Sequence, residues 1–175
     1  MKKRKERYNI VSANTTTVFA EPGKQEILIT REFDAPRELV FKVCMDPELL
    51  SEWWGPRYLT TEVDKMHVRP GGQWRFINRD AAGNAYAFHG VYHEICAPER
   101  VIDTFEFEGL PESGHVTLET MRLEELPGGR TRMTVQSVFQ SVADRDATLQ
   151  SGMESGLIDT HNRLEELLEK QKITK

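Results

Sequence analysis

A chain of 175 residues carrying a net charge of −5, with acids and bases intermixed, is long enough for one domain with a sizeable core. Beyond the first seven residues no long block of one sign occurs, so neither a nucleic-acid reader nor a surface seeking anionic membrane is expected. No apolar run of about 18 residues could insert into a membrane, and Cys44 and Cys96 have no metal-ligand spacing; the expectation is a cytoplasmic protein with reduced thiols.

Met1 to Arg7 is basic with no apolar stretch behind it, which reads as a solvated tail and not as a secretion signal or anchor. Residues 1–24 are read as that tail, the first twenty being dispensable for folding, and residues 25–170 as the single domain. From Gln25 to Phe33, Ile27, Ile29, Arg31 and Phe33 alternate with Leu28, Thr30 and Glu32, the period of a strand. Asp34 is placed to cap a short helix with Pro36 in its first turn and Leu39, Val40, Val43 and Cys44 along one face. Asp46-Pro47 restarts the chain into a second short helix, which Gly55-Pro56 stops just after Trp53 and Trp54.

Between Tyr58 and Phe139 the turn signals Gly71-Gly72, Gly83-Asn84, Ala97-Pro98, Leu110-Pro111 and Gly128-Gly129 separate runs of strand length. Strands are expected near 58–68, 73–79, 85–96, 99–107, 115–125 and 130–140, about seven in all and antiparallel throughout. Val142 to Lys170 then shows one helical stripe of Leu149, Met153, Leu157, Thr160, Leu164, Leu167 and Leu168. A helix that long must bury its stripe, and the large apolar surface available is a face of the sheet. The fold class is therefore α+β, a curved antiparallel sheet gripping the last helix. Which face of 85–96 and of 115–125 turns inward is left open.

The segments REFDAPRELVF (31–41), DPELLSEWWGP (46–56), VRPGGQWRF (68–76), HGVYHEICAPERV (89–101), GGRTRMTV (128–135) and GMESGLIDTHNRLEELL (152–168) occur in an order that resembles the activator of heat shock protein 90 ATPase homologue family. That family lies within the SRPBCC or START-like superfamily. The resemblance implies a helix-grip fold with a cavity between sheet and long helix. Superfamily relatives carry lipids, bind hormones, cyclise polyketides or regulate a chaperone. This chain departs from the family pattern at Leu157, where a tryptophan is frequent, and at Asp103, where an aromatic is frequent, so a relative's ligand is not carried over.

Each candidate has a plain structural alternative. Trp53 and Trp54 either anchor the fold or line a pocket. Trp74 and Phe76 share a strand face and are either sheet core or cavity wall. Gly71-Gly72 precedes a strand, which excludes a phosphate loop. His89 and His93, four apart on a strand, stand about 13 Å from one another, too far to share an ion, and His67, His115 and His161 are scattered. Glu94 and Asp103 are acids within apolar strands, either hydrogen-bonded or able to act in acid-base chemistry. Cys44 is a structural thiol, and Gly152, Met153 and Gly156 mark where the last helix leaves space.

The expected ligand-contacting residues are Trp53, Trp54, Trp74, Phe76, Asp103, Phe105, Met153, Leu157 and His161. The leading expectation is non-enzymatic binding of a small hydrophobic or amphipathic molecule, with no metal, cofactor or catalytic residue; a protein partner or homodimer stays open. The alternatives are a cyclase or hydrolase using Glu94, Asp103 or His161, and a module that regulates a chaperone ATPase.

Overall fold

The alternation of residues 26–33 places Ile27, Ile29, Arg31 and Phe33 on one buried face, and this strand pairs along its whole length with the last strand of the chain. A computed structural model describes residues 14–174. The basic segment Met1–Arg7 lies outside the described residues.

In chain order the elements are β1 (Thr17–Phe19), β2 (Glu26–Phe33), α1 (Arg37–Met45), α2 (Pro47–Trp53), β3 (Thr60–Met66), β4 (Gln73–Arg79), β5 (Ala85–Cys96), β6 (Arg100–Phe107), β7 (Thr117–Leu126), β8 (Arg130–Val138), α3 (Val142–Gln150) and α4 (Met153–Ile173). The strands form one antiparallel sheet in the order β1-β2-β8-β7-β6-β5-β4-β3. β3 to β8 are a meander of hairpins, and β2 closes on β8. The result is a curved α+β sheet holding a long C-terminal helix, the helix-grip arrangement.

Three local features differ from the sequence expectations. The stretch read as part of the tail contributes β1, which pairs Thr17, Val18 and Phe19 with Thr30, Ile29 and Leu28, making eight strands among the described residues. The single helix expected over 142–170 is two helices. Ser151 closes α3 through its N–H to the Ala147 and Thr148 carbonyls, and Gly152 follows at φ +80°, a left-handed conformation that breaks the helix and is open to glycine without strain. Finally, Asp34 does not cap α1, whose N-cap is Pro36. It pairs instead with Arg130 at 2.7 Å, which lowers its pKa. Asp46 does cap α2, accepting from the Glu48 N–H at 2.9 Å.

The core fills only one end of the grip. Val40 and Val43 of α1 pack with Leu164, Leu167 and Leu168 of α4 against Phe33, Leu123 and Met133 of the sheet, all buried. The other half of α4 is different. Met153 and Leu157 are only partly buried, beside Ile27, Ile29 and Phe139, and the sheet beneath them is not covered by side chains from the helix.

Candidate functional site

Where the helix stands off the sheet, a cavity of about 1150 Å³ remains, well beyond the packing voids of a solid core. Its aromatic wall follows from strand alternation. Trp74 and Phe76 point inward from β4, Phe88 from β5, and Phe105 and Phe107 from β6. Their rings form a continuous run: Trp74 to Phe76 at 4.7 Å, Trp74 to Phe105 at 5.8 Å, Phe88 to Phe105 at 5.4 Å and Phe88 to Phe107 at 5.0 Å. Trp54 meets this wall edge-on, 5.1 Å from Phe76 and 5.3 Å from Phe88.

The two adjacent tryptophans divide their roles. Trp53 donates its indole N–H to the Val43 carbonyl at 3.3 Å and ties α2 to α1, whereas Trp54 turns onto the aromatic wall. The loop behind Trp54 is fastened to α4. Arg163 donates to the carbonyls of Gly55 (2.6 Å) and Glu52 (2.9 Å), and Arg57 pairs with Asp159 and Glu166. One end of the cavity is thus closed by a loop held from the helix side.

Across the floor runs a polar row of which the sequence singles out only Asp103. The strand registers set Tyr92 of β5 opposite Asp103 of β6, Asp103 opposite Glu119 of β7, and Glu119 opposite Ser137 of β8, and all four line the cavity. Ser137 donates its hydroxyl to Glu119 at 3.1 Å. Burial pushes the Glu119 carboxyl up to about 6, and burial together with the Glu119 charge raises Asp103 well above the usual carboxylate range. Tyr92 is raised too, by burial and by Asp103. The Trp74 indole N–H is buried without a hydrogen-bond partner of normal geometry, yet it lies near enough to Asp103 to draw that pKa partly back.

Trp74 can occupy this place because residue 90 is glycine. A Cβ there would collide with the Thr104 carbonyl and stand 2.6 Å from the indole nitrogen. At the helix side, His161 is buried and shares a 2.8 Å hydrogen bond between its Nδ1 and Thr16 Oγ1. Burial first, and the Arg31 charge second, lower its pKa to about 3, so the ring is neutral. Arg31, also buried, is held by Glu165 and Asn162 of α4. Cys44 lines the cavity as a neutral thiol, its pKa pushed up to about 12 by burial.

All nine expected residues, Trp53, Trp54, Trp74, Phe76, Asp103, Phe105, Met153, Leu157 and His161, are on the wall of this one cavity. Glu94 is not, so of its two readings the hydrogen-bonded one holds and the alternative of acid-base work inside the cavity is corrected. A bulge between Tyr92 and Glu94 shifts the register, so the residue after the bulge turns outward. There Glu94 accepts two hydrogen bonds from Arg100, at 2.6 and 2.7 Å, which hold its pKa down. Gly156 faces the cavity without close contact, since a Cβ would meet only Pro56, at 3.9 Å. His89 lies outside, paired with Glu106 and Glu108.

A sheet curved round a long helix and standing off it over an aromatic and acidic cavity defines a helix-grip protein of the SRPBCC type. The chain matches the Activator of Hsp90 ATPase homolog 1-like family over residues 34–169, and it belongs to that family. Solved structures agree on the fold. A protein from Arthrobacter aurescens, studied by NMR in solution, is 26% identical, with 88% of this chain and 91% of that one covered and a TM-score of 0.79. A Rhodobacter sphaeroides crystal structure superposes at a TM-score of 0.80 with 22% identity, covering 89% and 99% of the two chains. One from Rhizobium leguminosarum is 30% identical at a TM-score of 0.60, covering 83% and 94%. No curated protein matches. No helix among the described residues is long and apolar enough to cross a membrane.

Proposed function

We propose that this protein binds a small, largely apolar molecule between α4 and the concave sheet, with the nine residues expected above in contact with it. The observation that carries the reading is the cavity itself. About 1150 Å³ is slightly more than the roughly 300–1,000 Å³ usual for small-molecule sites, and apolar and aromatic side chains dominate its wall, with a few polar groups converging at one place. The half-covered Met153 and Leu157 support it, because a helix in a purely structural role would bury that stripe.

The test is a panel of flat aromatic compounds, sterols and fatty acids read by tryptophan fluorescence and thermal stability. At least one class should change the emission of Trp54 and Trp74 and raise the melting temperature. A hundredfold excess over Kd adds about 2.7 kcal/mol. Met153→Trp should fill the space and weaken that binding. If no class moves either signal, the binding reading falls. A second reading, an acid-base enzyme of the cyclase or hydrolase type, is favoured by the facing carboxyls of Asp103 and Glu119. Turnover that disappears in Asp103→Asn while binding of a neutral compound persists would select it.

A further inference from the structure

We propose that the cavity takes an organic cation, a protonated amine on an apolar or aromatic body, with the ammonium group seated between Asp103 and Glu119. This rests on the ligand-binding reading above and narrows it to one chemical class.

The first argument is the sign of the charges. Asp80, Asp103, Glu112, Glu119 and Asp144 line the cavity, and among the described residues no Lys or Arg does. The two histidines that reach it do not supply a cation at the floor. His161 is held neutral by burial, and His115 lies 3.2 Å from the Asp144 carboxylate. A fatty acid or other anion would be desolvated here beside carboxyl groups with nothing to pair it, and such a burial is strongly unfavourable. An amine meets the opposite situation at Asp103 and Glu119, the two acids of the floor.

The second argument is geometry. Asp103 and Glu119 are directly opposite one another on neighbouring strands, where Cβ atoms stand about 4.5–5.5 Å apart. An ammonium group has three donors and no acceptor, so one such group can serve both carboxylates at once. Trp74 and Phe105 line the same cavity 5.8 Å apart, and an aromatic wall suits a cation with an aromatic or apolar body. The third observation concerns the group beside Asp103. The buried Trp74 N–H has no hydrogen-bond partner and lies close to Asp103, and the ionised carboxylate is its stronger acceptor. A bound cation makes the ionised carboxylate the stable form and gives the indole its acceptor. Ser137 already does the same for Glu119.

Three probes sharing one apolar body decide it: naphthylmethylamine, naphthylmethanol and naphthoate, titrated into the wild-type protein near pH 8 by calorimetry and tryptophan fluorescence. The amine should bind at least about tenfold more tightly than the alcohol, and naphthoate more weakly than either. In the double variant Asp103→Asn, Glu119→Gln the amine should lose its lead over the alcohol, whatever the absolute affinity of either. A cooperative urea transition reports that the variant folds; should it not, the wild-type order alone decides. Naphthoate binding as well as the amine, or an amine preference that survives in the folded double variant, overturns the proposal. If the alcohol and naphthoate bind but the amine does not lead, only this inference is lost. If none of the three binds, the ligand-binding reading falls and takes the inference with it.

Discussion

Replacing Glu119 by glutamine should change how stability depends on pH, in a direction opposite to that of an ordinary surface carboxylate. In the folded protein burial raises the Glu119 pKa from 4.5 to about 6. An acid with a raised folded pKa binds more protons folded than unfolded between those two values, so its contribution to stability falls as pH rises through that window. The size of the fall is about 2 kcal/mol, from 1.36 kcal/mol for each pH unit. Asp103 acts with the same sign, and its pKa is raised partly by the Glu119 charge, so the glutamine variant relieves it as well. His161 acts with the opposite sign: its folded value of about 3 lies below the unfolded 6.5, and stability is lost as pH drops between them. His161 is present in both proteins, as are Tyr92, Ser137, Trp74 and the distant Arg31, so the difference between wild type and variant isolates the carboxyl pair. Urea denaturation followed by tryptophan fluorescence at intervals from pH 4.5 to 8 measures it. The variant should gain about 2 kcal/mol on the wild type between the ends of that range. A difference that stays flat within about 0.5 kcal/mol would mean that Glu119 titrates like a hydrated side chain, and the polar row would not be the desolvated site described above.

Two further outcomes follow from the packing. Gly90→Ala should lower stability by about 3 kcal/mol or more in a denaturation experiment, because its Cβ would strike the Thr104 carbonyl, which is backbone and cannot move aside, and the Trp74 ring; a loss under about 1 kcal/mol would refute the close approach. Removing residues 1–20 should cost more than about 2 kcal/mol, since it deletes β1, uncovers Ile27 and Ile29 beneath Val18, and takes Thr16 from His161; an unchanged melting temperature would restore the reading of this stretch as a dispensable tail.

The elements best legible in the sequence are those bounded by turn chemistry. β4 and β5 begin and end where the alternating runs between Gly71-Gly72, Gly83-Asn84 and Ala97-Pro98 place them, since a period of two and a glycine turn are both local facts. β1 is three residues long, and its place comes from pairing with β2 and from Thr16 meeting His161, contacts no window of sequence contains. The break between α3 and α4 sits at Gly152, which in the sequence marks only where the last helix leaves space. The stripe of apolar residues continues on both sides of Gly152, and its positive φ is a property of the backbone that composition does not display.

The same division runs through the cavity. Its aromatic members could be picked out because a large ring in an inward-facing strand position has few other places to go, and Asp103 because an acid between Val101 and Phe105 breaks the pattern. Glu119 sits in Thr117–Leu126, a strand with further acids at Glu124 and Glu125 that face solvent, so nothing local separates it from them. Only the register, which sets it opposite Asp103, shows that it points inward. Glu94 stays open in the sequence for the converse reason: period-two counting from Tyr92 turns it inward, and a single bulge that no local pattern announces turns it out.

Two carboxyls facing each other at positions where alternation calls for apolar side chains would be a costly defect in a filled core, where each buried charge lacks a partner. Here they stand where the helix withdraws from the sheet. The withdrawal has its own causes in the sequence: the chain breaks at Gly152, α4 restarts at Met153, and Gly156 presents no side chain to the floor. Local rules are thus broken together on both sides of one space, the acids on the sheet and the glycines on the helix. Independent defects would be scattered through the structure, whereas rules broken at a single place are what a binding site requires of a fold.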